Sequence, residues 1–123
     1  MGVKLTSRQQ AQLGWLETLS PKFDRMKKTI ELMASNQADE SQQRGLARLL
    51  DELKAQASGL GITPLAEAFG YMGMTLRRSG GHQTKVRGLR EMLAGARINF
   101  DGALRNATAP AEADADDENN VSP

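Results

Sequence analysis

The chain has 123 residues, 39% of them hydrophobic and 25% charged, enough for one hydrophobic core and too short for two. It contains no cysteine, which excludes disulfides, thiolate metal sites and cysteine nucleophiles, and only five aromatic residues, so the core must rest on Leu, Met, Ala and Ile. The net charge of +1 conceals a division: residues 111–123 hold five carboxylates and no cation, leaving sixteen Lys and Arg against ten Asp and Glu over residues 1–110, a net +6.

Five helices follow from apolar spacing and punctuation. Residues 7–19 place Leu13, Leu16 and Leu19 on one face, with Thr6 or Ser7 available as the N-cap. Ser20-Pro21 reads as a cap followed by proline at the first helical position, opening a second helix that ends near Ser35-Asn36. Its apolar stripe of Phe23, Met26, Ile30 and Met33 lies opposite Lys22, Arg25, Lys27 and Lys28. Because this stripe is in phase with Leu16 and Leu19, a single helix kinked at Pro21 is an alternative reading that buries the same residues.

A third helix is capped by Asp39 or Ser41, carries Leu46, Leu49, Leu50, Leu53 and Ala57 inward, and stops at Gly59-Leu60-Gly61. Thr63-Pro64 repeats the cap-plus-proline signal for a fourth helix with Leu65, Phe69, Met72 and Leu76 inward, ending at Ser79-Gly80-Gly81. His82, the sole histidine, belongs to the start of a fifth helix over residues 83–106, whose core stripe is Val86, Leu89, Leu93, Ala96, Phe100 and Leu104. No segment alternates as a half-buried strand would, and short linkers make successive helices antiparallel. The expected fold is all-α: an antiparallel up-and-down four-helix bundle with an additional short N-terminal helix over residues 1–107, followed by a disordered acidic tail over 108–123.

The chemistry-bearing patterns point away from an enzyme. One histidine cannot assemble a catalytic triad or a zinc site, and neither a phosphate-cradling glycine loop nor a dinucleotide fingerprint is present. Carboxylates adjacent in sequence, such as Asp51-Glu52, point in different directions on a helix. No cofactor or metal is expected. The absence of an 18-residue apolar run and of a leader-like N-terminus predicts a cytoplasmic chain without membrane contact.

Around Leu46–Leu76 the residues Lys54, Ala57, Leu60-Gly61 and Leu65-Ala66 fall in the register of a known pattern. The chain resembles the histidine-phosphotransfer domains of two-component phosphorelays over about 90 residues, the flanking helices included. In that family an exposed His on a central helix is followed by Lys three residues later and Gly four residues later. Here Asp51 stands at the His position and Ala55 at the Gly position, while Gln56 takes a position usually small and polar. A carboxylate at Asp51 repels an incoming phosphoryl group that a neutral imidazole would attack. The resemblance therefore implies a degenerate phosphotransfer domain. It would bind a response-regulator receiver domain or a histidine kinase without passing phosphate, through Arg44, Arg48, Asp51, Lys54, Ala55 and Ser58.

Lys54 can also pair with Asp51 at the three-residue spacing. On the fourth helix Ala66, Gly70 and Gly73 form a stripe of small residues. Glycine within a helix costs about 0.5–1 kcal/mol relative to alanine, so the stripe implies either tight internal packing or a partner's helix. Tyr71 and Met74 beside it are candidate interface anchors. Two other readings are a generic helical adaptor and a nucleic-acid binder. The latter would use Arg77, Arg78, Lys85, Arg87, Arg90 and Arg97, although no base-stacking aromatics accompany them.

Overall fold

The computed structural model describes residues 5–109, which form α1 (Ser7–Leu16), α2 (Ser20–Ala34), α3 (Glu40–Gly59), α4 (Thr63–Arg77) and α5 (His82–Ala107), with no strand among the described residues. The fold is all-α. Of the expected disordered tail over 108–123, Thr108 and Ala109 are instead held by hydrogen bonds to Leu104 and from Gln9, and residues 110–123 lie outside the described residues; no described helix is long and apolar enough to cross a membrane.

Two helices begin on reciprocal caps. Thr6 Oγ1 accepts from the Gln9 amide at 3.0 Å while Gln9 Oε1 accepts from the Thr6 amide at 2.9 Å. Asp39 and Gln42 repeat the arrangement at 2.7 and 2.9 Å. Two C-termini close in the same way. At the end of α3 the amides of Gly61 and Ile62 reach the carbonyls of Ser58 and Ala57, with Gly61 at φ 74°. At the end of α2 the amides of Asn36 and Gln37 reach Met33 and Leu32, with Asn36 at φ 59°.

Ser20 and Thr63 are not caps, contrary to the sequence reading; they are the first residues of their helices, and Leu19 and Ile62 precede them with no side-chain cap bond. At Leu19 the backbone is already helical (φ −84°, ψ −26°), because bonds from Thr18 to Trp15 and from Leu19 to Leu16 carry a tight turn out of α1. Such a backbone lacks the extended conformation from which a cap side chain folds back. At the other site the bond from Ile62 to Ala57 and the burial of Ile62 fix the entry, which places Thr63 inside the helix. The α1–α2 junction is thus a short turn rather than either a clean break or a simple proline kink.

Cross-helix contacts give the directions. Arg90 meets Glu31 and Arg97 meets Asp24, so α2 and α5 are antiparallel. Asp51 meets Arg77 while Lys54 lies over Gly70, which makes α3 and α4 antiparallel. Thr75 meets Met92 and its methyl faces Gly88, while Tyr71 and Pro64 share a groove with Asn99 at the other end. The packed pairs α2–α3, α3–α4, α4–α5 and α2–α5 close a ring, and α1 lies against α5. At 1.5 Å per residue α5 is about 39 Å long, which lets its N-terminal part pair with α2 and its C-terminal part with α1.

The expected stripes meet in the ring. Leu16, Leu19, Phe23, Met26, Ile30, Leu50, Leu53, Leu65, Phe69, Met72 and Leu89 are fully buried. Phe23 is central: its ring lies 6.1 Å from that of Phe69 on α4 and 5.4 Å, edge-on, from that of Phe100 on α5, and Arg97 stacks over it at 5.0 Å. His82 is the first residue of α5, as expected, and its Nε2 donates to the Met33 carbonyl at 2.6 Å, tying the start of α5 to the end of α2.

Candidate protein-docking face on α3 and α4

With Leu46, Leu49, Leu50, Leu53 and Ala57 turned inward, the opposite side of α3 is solvent-facing by helical geometry. Arg44, Arg48, Asp51, Lys54, Ala55 and Ser58 are all exposed there, as the sequence predicts. Ala55 and Ser58 are the short side chains of this face, and the other four are charged. Arg44 is tied to Glu40 one turn earlier at 3.4 Å, whereas Arg48 and Lys54 are in no ion pair among the described residues.

The pairing of Asp51 with Lys54 is corrected by the structure. Asp51 Oδ2 instead accepts from Arg77 Nη2 at 2.5 Å, across the seam from α4, with both side chains half exposed. The stem of Lys54 leans over Gly70, where an added Cβ would lie 3.4 Å from Cδ and Cε. A guanidinium on the neighbouring helix offers a planar donor to the carboxylate, and the lysine stem covers apolar backbone while its ammonium stays in water.

The glycine stripe is a packing feature of this seam. An added Cβ at Gly73 would meet Arg77 Nη1 at 3.2 Å and the Leu50 Cβ at 4.0 Å. Gly73 is buried and Gly70 half-buried, and α3 and α4 are the most extensively packed pair of helices. Gly73 is therefore withdrawn from the docking face, because it is buried against Leu50 and Asp51 of α3 and beneath the Arg77 guanidinium of its own helix, and Gly70 is roofed by Lys54. Tyr71 and Met74 are exposed as expected, at 57% and 59%. Tyr71 belongs to the other edge of α4, however, lining a groove with Ala68, Met92, Gly95 and Asn99 of the α4–α5 seam. The structure thus brings together Asp51, Lys54 and Gly70 with Arg77, keeps Arg44, Arg48, Ala55 and Ser58 on the same side, and separates Tyr71 from them.

Of the six cations that suggested nucleic acid, Arg77, Arg90 and Arg97 are engaged with Asp51, Glu31 and Asp24, which lowers their availability to phosphates. The pair between Arg90 and Glu31 is two-pronged, at 2.9 and 2.5 Å, and holds the Glu31 carboxyl below its ordinary pKa while raising that of the guanidinium. Among the described residues no group of three or more His, Cys, Asp or Glu could hold a metal ion.

Sequence reasoning missed Gln9 and the cavity beside it. Gln9 is 6% exposed, and its Nε2 donates to the carbonyls of Asn106 and Ala109 at 3.2 and 2.9 Å, fixing the end of α5 on α1. The Thr6-x-x-Gln9 spacing was a readable signal for the cap, whereas the bonds to α5 span almost the whole chain and leave no local trace. Comparison with models of known families, with curated proteins and with solved structures found no match for this chain.

Proposed function

We propose that this chain is a non-catalytic helical docking module that binds a signalling protein, a response-regulator receiver domain or a histidine kinase, through the exposed face of α3. The observation that carries the reading is the exposure of the short side chains Ala55 and Ser58 on the face of α3 that also bears Arg48, Lys54 and the half-exposed pair of Asp51 with Arg77. Short side chains let a partner's helix approach closely, and the charged margin sets its orientation and register. Asp51 is an anion already matched to Arg77, which suits a fixed polar contact and opposes attack on a phosphorylated partner.

The test is titration of the labelled chain with receiver domains and kinase dimerisation domains of the source organism, followed by amide chemical shifts. Shifts confined to α3 and the adjoining part of α4, with affinity lowered at least tenfold by Ala55→Arg and by Arg48→Glu, are expected. Binding indifferent to both substitutions, or no binding by any receiver or kinase domain, removes the reading. Binding of oligonucleotides that falls steeply with salt would favour the nucleic-acid reading instead.

A further inference from the structure

At the foot of the molecule a cavity of about 340 Å³ opens between α1, the α3–α4 turn and the last turns of α5, lined by Gln12, Ile62, Pro64, Ile98, Gly102 and Arg105 among others. Its apolar edge is Ile98, which is 69% exposed. Two guanidiniums flank it. Arg105 lines it directly, and Arg8 reaches across so that a Cβ added at Gly61, another lining residue, would collide with its Nη2. Both arginines are exposed, and neither takes part in an ion pair among the described residues.

The chain leaves the described residues at this spot. Gln9 pins the Ala109 carbonyl, four residues beyond Arg105, and residues 111–123 carry Glu112, Asp114, Asp116, Asp117 and Glu118 with no cation. An extended chain spans at most about 3.5 Å per residue, so Glu112 lies within about 10 Å of the anchor and Glu118 within about 30 Å. A tethered partner this close has an effective concentration on the order of millimolar, enough for weak charge pairs to persist.

We infer that the acidic segment 112–118 folds back on this cavity and is held there by Arg8 and Arg105, so that the occupant of the site is the chain's own C-terminal segment. Complementary charge and the position of the anchor specify it. The contact is electrostatic and at the surface, so it weakens with salt. It is independent of the docking face on α3.

Because the chain has no native cysteine, a nitroxide on Ala115→Cys marks the segment uniquely and leaves all five carboxylates in place. In the full-length protein at low salt, the amides of Gln12, Gly61, Gly102 and Arg105 are expected to lose more than half their intensity to paramagnetic broadening. At Gln12 and Gly61, across the cavity from the tether, most of the loss should be relieved in Arg8→Glu/Arg105→Glu and at ~0.5 M salt, where the screening length falls to a few ångströms, while Gly102 and Arg105 keep the part that the short tether alone imposes. Arg8→Lys/Arg105→Lys, which keeps the charge, should retain most of the broadening and controls for loss of fold. A mixture of isotope-labelled chains without nitroxide and unlabelled chains carrying it should show none. Broadening that is uniform over the surface, centred on Lys22, Arg25 and Lys28 of α2, or seen only in the mixture overturns the inference.

Discussion

Gln9 is a polar side chain at a position facing the interior, and its burial is tolerated because both ends of its amide are used. The oxygen serves the cap at Thr6, and the nitrogen serves two carbonyls at the end of α5. Removing one partner of a buried hydrogen bond leaves the other unsatisfied, at about 1–3 kcal/mol. Gln9→Ala should therefore lower unfolding stability by about that amount in urea, and Gln9→Glu at neutral pH by more, since a carboxylate cannot donate to the carbonyls of Asn106 and Ala109. Gln10→Ala, at an exposed neighbour, should stay within about 0.5 kcal/mol of wild type; equal effects at the two positions would remove the structural role given to Gln9. Glu31 gives the pH counterpart. Its carboxyl is lowered by the bonds from Arg90, so the pair contributes stability above the ordinary carboxylate range, and that contribution disappears as pH falls through the lowered folded value. Acid titration of stability should therefore lose part of its slope below about pH 4.5 in Glu31→Gln, with little change in slope above pH 6.

The helices draw on glycine for opposite reasons, and substitution separates them. An added Cβ at Gly14 in α1 or Gly45 in α3 meets nothing within 4 Å, so each glycine costs helix entropy and saves no clash. Gly14→Ala and Gly45→Ala should each stabilise the protein by about 0.5–1 kcal/mol, a rise of a few degrees in Tm. Gly61→Ala should destabilise by about 1 kcal/mol or more, because Gly61 holds φ 74° at the end of α3, a conformation in which an added Cβ is strained even after the exposed Arg8 side chain moves aside. If all three shift Tm the same way, the assignment of Gly61 to the helix stop is wrong. The stop itself was legible, since Gly59-Leu60-Gly61 after an apolar stripe can do little else. So were the inward leucines and the exposed face of α3, and the cap was narrowed to Asp39 or Ser41, because each depends on residues within a turn or two. The partner of Asp51 was not legible: the local rule selects Lys54, whereas the bond goes to Arg77, 26 residues away, and only the packing of α4 on α3 decides it. The same holds for Gly70 and Gly73, whose small size fitted two explanations until the neighbouring helix was in place. Ser20 and Thr63 misled because the residue before each had its backbone fixed by the preceding turn rather than by the cap.

For the whole molecule, the ring of helices closes on Phe23. It touches aromatic side chains from both α4 and α5, so its removal opens a cavity that no single helix can move to fill. Phe→Ala in a core costs about 3–5 kcal/mol, against about 5–15 kcal/mol for a typical domain. Phe23→Ala should lower the urea midpoint accordingly with an unchanged m value, while Phe23→Leu, which retains most of the volume, should cost less than half as much. The single tryptophan makes the experiment informative about cooperativity. Trp15 lies in α1 and donates through Nε1 to Gln56 of α3 at 2.8 Å, so its fluorescence reports the docking of α1, while far-UV circular dichroism reports all five helices. Since α1 runs into α2 through a hydrogen-bonded turn and is bound to both α3 and α5, the two signals should change together in wild type and in Phe23→Ala. A tryptophan transition at lower denaturant than the helical one would mean that α1 undocks first, and that the foot of the bundle, with the cavity beside Arg105, is a separate unit of lower stability.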